Sequence, residues 1–328
     1  MSLSRRTFLG TGAVAATAVA AGASLLAGCS SSLPVTGSFL QPWRSHLTMP
    51  REQWRKRLAD TYALGCRELF VQWTGILGET PAQTWRLADT QVADVLDICA
   101  GLGMGVHLGL PYDERWWKQI DYANAAAMAP FLAYISDQGT RYMASAVWPR
   151  HAAFRGWYIP YELEQYHWSS VERGAQLVQA LKPLVQTAMA TSGKVPAIST
   201  YFSQLKSQAT LAQMWDFLLD RLALHPMVQD GVGVAGLQNY AALAPLQALL
   251  QKRGVPFDLI VELFTQLSSG TSTDFNARTA EPERVRRQWE VARDCGAERI
   301  VAFAIDPWVL DDTPEAQLLR SQWKSAVG

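Results

Sequence analysis

The chain has 328 residues, 49% of them hydrophobic and 18% charged, and its 29 Lys and Arg balance 29 Asp and Glu. That even balance leaves no basic stripe, so no nucleic-acid partner is expected. The length suits one large domain or two small ones, and α/β barrels often occupy it as one. The 13 Trp are the unusual count, because Trp supplies flat apolar faces as well as core bulk.

In chain order, residues 1–28 read as an address rather than as structure. Ser4-Arg5-Arg6-Thr7-Phe8-Leu9-Gly10 resembles a twin-arginine export signal, a Gly/Ala-rich apolar segment follows, and Leu26-Ala27-Gly28-Cys29 resembles a lipobox. Cys29 is then the acylated N-terminus, and membrane contact is expected through its lipid. Ser30 is compatible with release to the outer membrane, so a lipid-anchored periplasmic location is expected. Removing residues 1–28 takes away Arg5 and Arg6 and no acid, which turns the even balance into a net charge of −2. Residues 29–36 form a short Ser/Pro tether, and residues 37–328 are read as one domain. Cys66, Cys99 and Cys295 sit in no CxxC or His-bearing cluster, so they read as buried free thiols.

The domain opens with a strand, Gly37-Ser38-Phe39-Leu40-Gln41, ahead of Pro42-Trp43. A helix from Pro50 to about Leu64 stops at Gly65. Glu68 to Trp73 is the second strand, residues 90–100 repeat at helical spacing, and Met104 to Gly109 is the third. His107, inside that strand, reads as a core histidine. Pro111-Tyr112-Asp113 follows in a loop, the Trp116-Trp117 pair reads as helix packing, and helix covers Ala127 to Ala146. Arg155-Gly156-Trp157-Tyr158-Ile159-Pro160-Tyr161-Glu162 is an apolar strand that ends on a carboxylate. A helix from Ser169 to about Thr191 leads to strand five, Val195 to Tyr201. A helix near 209–223 leads to strand six, Pro226 to Asp230, which ends in Gly231-Val232-Gly233. Helix 240–252 precedes strand seven, Phe257 to Phe264, which carries Glu262. A helix from Glu281 stops at Gly296, Ile300 to Ile305 is strand eight, and Pro314 onward closes the chain as helix.

Eight apolar strands alternating with helices, without a Gly-rich phosphate loop, predict an α/β fold, a single (β/α)8 TIM barrel. Its strands are parallel, so the polar residues at their C-terminal ends converge. These are Gln41, Trp43, Gln72, Trp73, Tyr112, Tyr161, Glu162, Tyr201, Gln229, Asp230, Glu262, Asp306 and Trp308. Glycosidic bonds break between two carboxyl groups, one protonating the leaving oxygen while the other attacks the sugar or activates water. Glu162 and Glu262 are the candidate pair. Asp230 is a third candidate acid, although Asp-Gly also favours a tight turn. The Trp and Tyr residues would offer faces to sugar rings, and Gln41, Gln72 and Gln229 would read hydroxyls. Trp43, Trp73 and Trp308 could equally pack their loops. The five His residues lack metal-ligand spacing, so no metal and no cofactor is expected.

The strand-four and strand-seven Glu residues make the chain similar to the large clan of retaining glycoside hydrolases built on (β/α) barrels. That resemblance implies Glu162 as acid/base and Glu262 as nucleophile. The clan usually carries Asn before the strand-four Glu, and here Tyr161 stands in that place. The chain also resembles a family of bacterial exported, glycoside hydrolase-like barrels of unknown function. The resemblance rests on Gly37 to Gln41, Gly156 to Glu162, Gln229-Asp230-Gly231-Val232-Gly233 and Val261-Glu262-Leu263-Phe264. A carbohydrate partner follows, met either by a glycoside hydrolase or by a non-catalytic glycan-binding barrel that assists envelope polysaccharide export or assembly.

Overall fold

The computed structural model describes residues 35–121, 125–267 and 276–327. The expected signal segment, most of the tether and the lipidation candidate Cys29 lie outside the described residues. Eight strands form a closed barrel: β1 Val35–Leu40, β2 Glu68–Val71, β3 Gly105–Gly109, β4 Phe154–Leu163, β5 Ala197–Thr200, β6 His225–Gln229, β7 Asp258–Glu262 and β8 Arg299–Phe303. Each pairs in parallel with the next, and β8 pairs back with β1. The long helices between and after them are α1 Arg51–Ala63, α2 Asp89–Leu102, α3 Ala125–Ser145, α4 Val171–Ser192, α5 Leu211–Leu219, α6 Asn239–Arg253, α7 Pro282–Arg293 and α8 Pro314–Val327. This is the expected (β/α)8 barrel. Among the described residues no helix is long and apolar enough to cross a membrane.

Local chemistry starts and stops the helices where the sequence signals it. Ser170 caps α4 by accepting from the Arg173 amide at 3.2 Å, and Thr210 and Gln213 form a reciprocal capping box at α5. Gly193 ends α4 at φ +67°, a conformation that suits a residue without Cβ.

The alternation of a strand sends every second side chain inward, and three layers result. The floor, at the N-terminal ends, is ionic. Arg299 holds Asp258 bidentately (Nε to Oδ1 2.8 Å, Nη2 to Oδ2 2.9 Å) and reaches Glu68 at 3.1 Å. His225 lies 3.0 Å from Asp258 and His107 lies 2.5 Å from Glu68. Burial alone would raise the Asp258 carboxyl, but the His225 and Arg299 contacts outweigh it and hold the group below its usual value. Glu68 is held down likewise against its burial, by His107 and Arg299, while burial pushes His107 below its ordinary value.

Above the floor lies a ring layer. Phe39 sits 5.4 Å from Phe70, 5.3 Å from Tyr158 and 5.5 Å from Phe303, and Phe70 stacks on His107 at 4.2 Å. Met227, Ile260 and Val301 belong to this inner cluster, as do Ala197, Phe264 and Ala304, while a separate, larger cluster fills the space between the sheet and the helices. The third layer is the mouth.

Two small sheets depart from the sequence reading. Strand seven, expected to run to Phe264, stops at Glu262. Phe264–Gln266 then pairs antiparallel with Ala277–Thr279. Gly75–Leu77, Trp85–Arg86 and Tyr112–Asp113 form a three-stranded sheet; Tyr112–Asp113 was expected in a loop, and the other two segments carried no assignment. Segments of two or three residues give no periodic signal.

Candidate active site at the barrel mouth

Glu162 stands on the inward register of β4 near its C-terminal end. Its Oε1 accepts from the Gln229 side-chain amide at 2.8 Å, from β6 two strands away, which shows that the carboxylate turns into the barrel. Glu262 is the last residue of β7 and is buried. Its Oε2 accepts from the Gly233 amide at 2.9 Å. Gly233 lies in a single helical turn, Val232–Ala235, that follows Gly231 at φ +63°. A Cβ on Gly233 would fall 2.9 Å from that oxygen and 2.6 Å from the Phe264 carbonyl, so only glycine lets the amide come this close.

Asp230 follows β6 directly and is completely buried. Its Oδ1 accepts from the amides of Val232 (3.1 Å) and Glu262 (3.2 Å), and its Oδ2 accepts from Gln288 Nε2 (2.6 Å) and the Tyr240 hydroxyl (3.0 Å). Burial and the neighbouring Glu262 charge push its carboxyl up to about 7. The role expected for it, substrate contact, is corrected here: both oxygens are spent on protein donors and none of its surface is open. Beside it, Arg284 donates from Nη2 to the Glu262 and Phe264 carbonyls at 3.0 and 2.9 Å.

Gln41, Gln72 and Tyr201 each follow the last residue of their strands, β1, β2 and β5, and so stand at the mouth with Gln229. Gln41 is half-buried; Gln72, Tyr201 and Gln229 are buried. Four other expected contact residues need correction. The rings of Trp73, Tyr112 and Tyr161 are not open faces: Trp73 stacks on Tyr112 at 5.4 Å, Tyr112 meets Tyr161 at 5.5 Å, and Tyr161 meets Trp116 at 4.9 Å. All are buried. Trp73 Nε1 donates to the Pro42 carbonyl at 2.8 Å, and burial drives the Tyr161 hydroxyl far above its ordinary value. Asp306 is not free either, since both its oxygens receive Arg57 Nη1 at 2.7 and 2.6 Å. Trp43 and Trp308 are half-buried, against Trp73 at 5.6 Å and Phe264 at 5.7 Å respectively.

Several contributors were given another role in the sequence, as Trp117 and Gly233 were, or none, as Tyr240, Arg284 and Gln288 were. Trp117 is half-buried with its ring 6.2 Å from Tyr201, which puts an aromatic edge beside a strand-end residue. Gly233, Tyr240, Arg284 and Gln288 act through contacts that no spacing rule announces. At the floor, His225, Asp258 and Glu298 bring one ligand atom each within 4.8 Å of one another. Arg299 Nη2 stands 3.3 Å from His225 Nε2, and that guanidinium opposes a second cation there.

A closed (β/α)8 barrel with Glu162 and Glu262 at the C-terminal ends of its strands defines the fold class. The chain belongs to the family described as domain of unknown function (DUF4434), which matches residues 35–318. The fold is similar to that of a Bacteroides thetaiotaomicron protein provisionally named an alpha-L-fucosidase, with a TM-score of 0.69 and 15% identity over 94% of this chain and 99% of that one. It is also similar to a GH113 beta-1,4-mannanase, with a TM-score of 0.55 and 10% identity over 90% of this chain and 100% of that one. A Marinomonas ef1 beta-galactosidase gives a TM-score of 0.55 and 13% identity over 82% of this chain, which spans 54% of that longer protein. No curated protein sequence matches the chain.

Proposed function

We propose that the protein is a glycoside hydrolase acting on a polysaccharide or cell-envelope glycan, with Glu162 as acid/base and Glu262 as nucleophile. The observation that carries this reading is the contrast between the ion-paired carboxylates of the floor and Glu162 at the mouth. The floor carboxylates Glu68 and Asp258 are held by Arg299 and histidines, while Glu162 turns inward at the mouth with a neutral amide, Gln229, as its partner. A carboxylate with a neutral partner keeps the freedom to exchange a proton with substrate. The Gly233 amide fixes one Glu262 oxygen and so orients the carboxylate. The names of the barrels it resembles, a fucosidase, a mannanase and a galactosidase, support the same substrate class.

The test is turnover of a panel of aryl glycosides and envelope polysaccharides. Glu162→Gln and Glu262→Gln should each lower kcat by about 10²–10⁴-fold, the contribution of a positioned acid or base, with unchanged thermal melting. Wild-type rates in both variants would sink the assignment. The buried Tyr161, standing where the clan has Asn, favours a second reading, a glycan-binding barrel without turnover. Calorimetric binding that survives both substitutions, with no product formed, would select it. We also propose that Cys29 carries a lipid that tethers the barrel at the periplasmic side of the outer membrane. Cys29→Ser should then move the protein from the membrane to the soluble fraction, and unchanged membrane association would refute the tether.

A further inference from the structure

We infer that Asp230 is a positioning residue for Glu262: a buried carboxyl that ties the turn carrying Gly233 to the end of β7 and so aims the Glu262 side chain. The inference rests on the reading of Glu262 as a working carboxylate. Four donors meet Asp230 from four parts of the fold: the Val232 amide of the turn after β6, the Glu262 amide of β7, the Tyr240 hydroxyl of α6 and the Gln288 amide of α7. Its main chain is fixed as well, with its amide donating to the Ile260 carbonyl at 2.8 Å and its carbonyl accepting from Asn239 Nδ2 at 2.7 Å.

These bonds converge on Glu262. Its amide rests on Asp230, its carbonyl accepts from Gln288 Nε2 at 3.1 Å and Arg284 Nη2 at 3.0 Å, and its side chain accepts from Gly233. Gln288 Nε2 bridges Asp230 and the Glu262 carbonyl, so one amide couples the clamp to the strand end. Val232, held by Asp230, is the neighbour of Gly233, so the clamp also places the amide that orients Glu262. Placement on the scale of 1 Å is worth about 10²-fold in rate where a catalytic group must meet its substrate.

The charged and titratable groups facing Asp230 are Glu262 of β7, Tyr240 of α6 and Arg284 of α7. Arg284 is half-buried, and its Nε and Nη1 have no partner among the described residues. It offsets part of the repulsion between the two carboxylates. With Asp230 raised to about 7, its ionisation should appear as a limb of the pH profile near neutrality.

The experiment compares the full chain with Asp230→Asn and Tyr240→Phe. Hydrogen exchange is followed by mass spectrometry over residues 231–236 and 258–264. On an aryl glycoside that the wild type cleaves, kcat, KM and their pH profiles are measured. Asp230→Asn should exchange faster in both segments, lose about tenfold or more in kcat with KM within about threefold, and lack the limb near pH 7. Tyr240→Phe removes one donor from the ionised carboxylate, so it should move that limb to higher pH. Wild-type exchange in both segments for both variants overturns the clamp, as does a limb that stays in place in both. If no glycoside is cleaved, the proposed function falls, and exchange alone then decides the clamp. If Asp230→Asn does not fold, the exchange and pH limb of Tyr240→Phe decide it.

Discussion

Replacing Arg299 by Met removes the cation around which the barrel floor is built. Asp258 is completely buried and would lose contacts of 2.8 and 2.9 Å, leaving His225 at 3.0 Å. Glu68 would lose its 3.1 Å contact and keep His107. Met fills much of the Arg stem, so the cost is electrostatic rather than a cavity. Breaking a buried pair by deleting one partner costs about 3–5 kcal/mol. For a domain of this size each kcal/mol moves Tm by about 2–4 °C, so Arg299→Met should melt roughly 10 °C lower at pH 7. Differential scanning fluorimetry on the full chain reads this directly. The sign with pH also follows. Asp258 and Glu68 have folded values depressed below their unfolded ones, so their contribution is present above about pH 4 and is lost as pH falls through the folded values. The wild type should therefore lose more stability on acidification than the variant. A Tm within about 2 °C of wild type, together with the same acid sensitivity, would refute the argument that this network holds the floor.

Burial pushes the Cys66 and Cys99 thiols up to about 12, so both should stay unreactive to a thiol-selective disulfide reagent in the native protein and react once it is unfolded. Labelling of either at the native-state rate expected of an exposed cysteine would contradict their placement. Gly109, which ends β3, allows no side chain: an added Cβ would sit 2.2 Å from the Gln72 carbonyl oxygen. Because that neighbour is backbone, Gly109→Ala should destabilise by about 1–3 kcal/mol, measured by urea denaturation, and a neutral result would mean that β2 and β3 can part without cost.

The barrel was legible because period-2 apolar runs and helix stop signals are local. Glu162 and Glu262 stood out as carboxylates closing apolar strands, and both face inward. The floor was not legible. Glu68, His107, His225, Asp258 and Arg299 come from five strands, and only the stagger of the closed sheet brings them to one level. His107 reads alone as a core histidine; its partner is 39 residues earlier in the chain. Trp73 and Tyr161 misled for the opposite reason. Their sequence neighbours Gln72 and Glu162 do face the mouth, but alternation turns the next side chain toward the helices. Asp230 illustrates a third difficulty. Asp-Gly correctly announced a turn, yet its donors lie 2, 10, 32 and 58 residues away, beyond any local pattern.

The layering of the interior has a consequence for how this barrel can change over time. The five-residue ionic network of the floor lies beneath Phe39, Phe70 and Tyr158, whose rings separate it from the mouth. Water and ligand arriving at the other end do not dilute those attractions, and side chains exchanged there leave them untouched. The floor network and the mouth thus rest on different residues, so substitutions at the rim should leave the floor contacts in place.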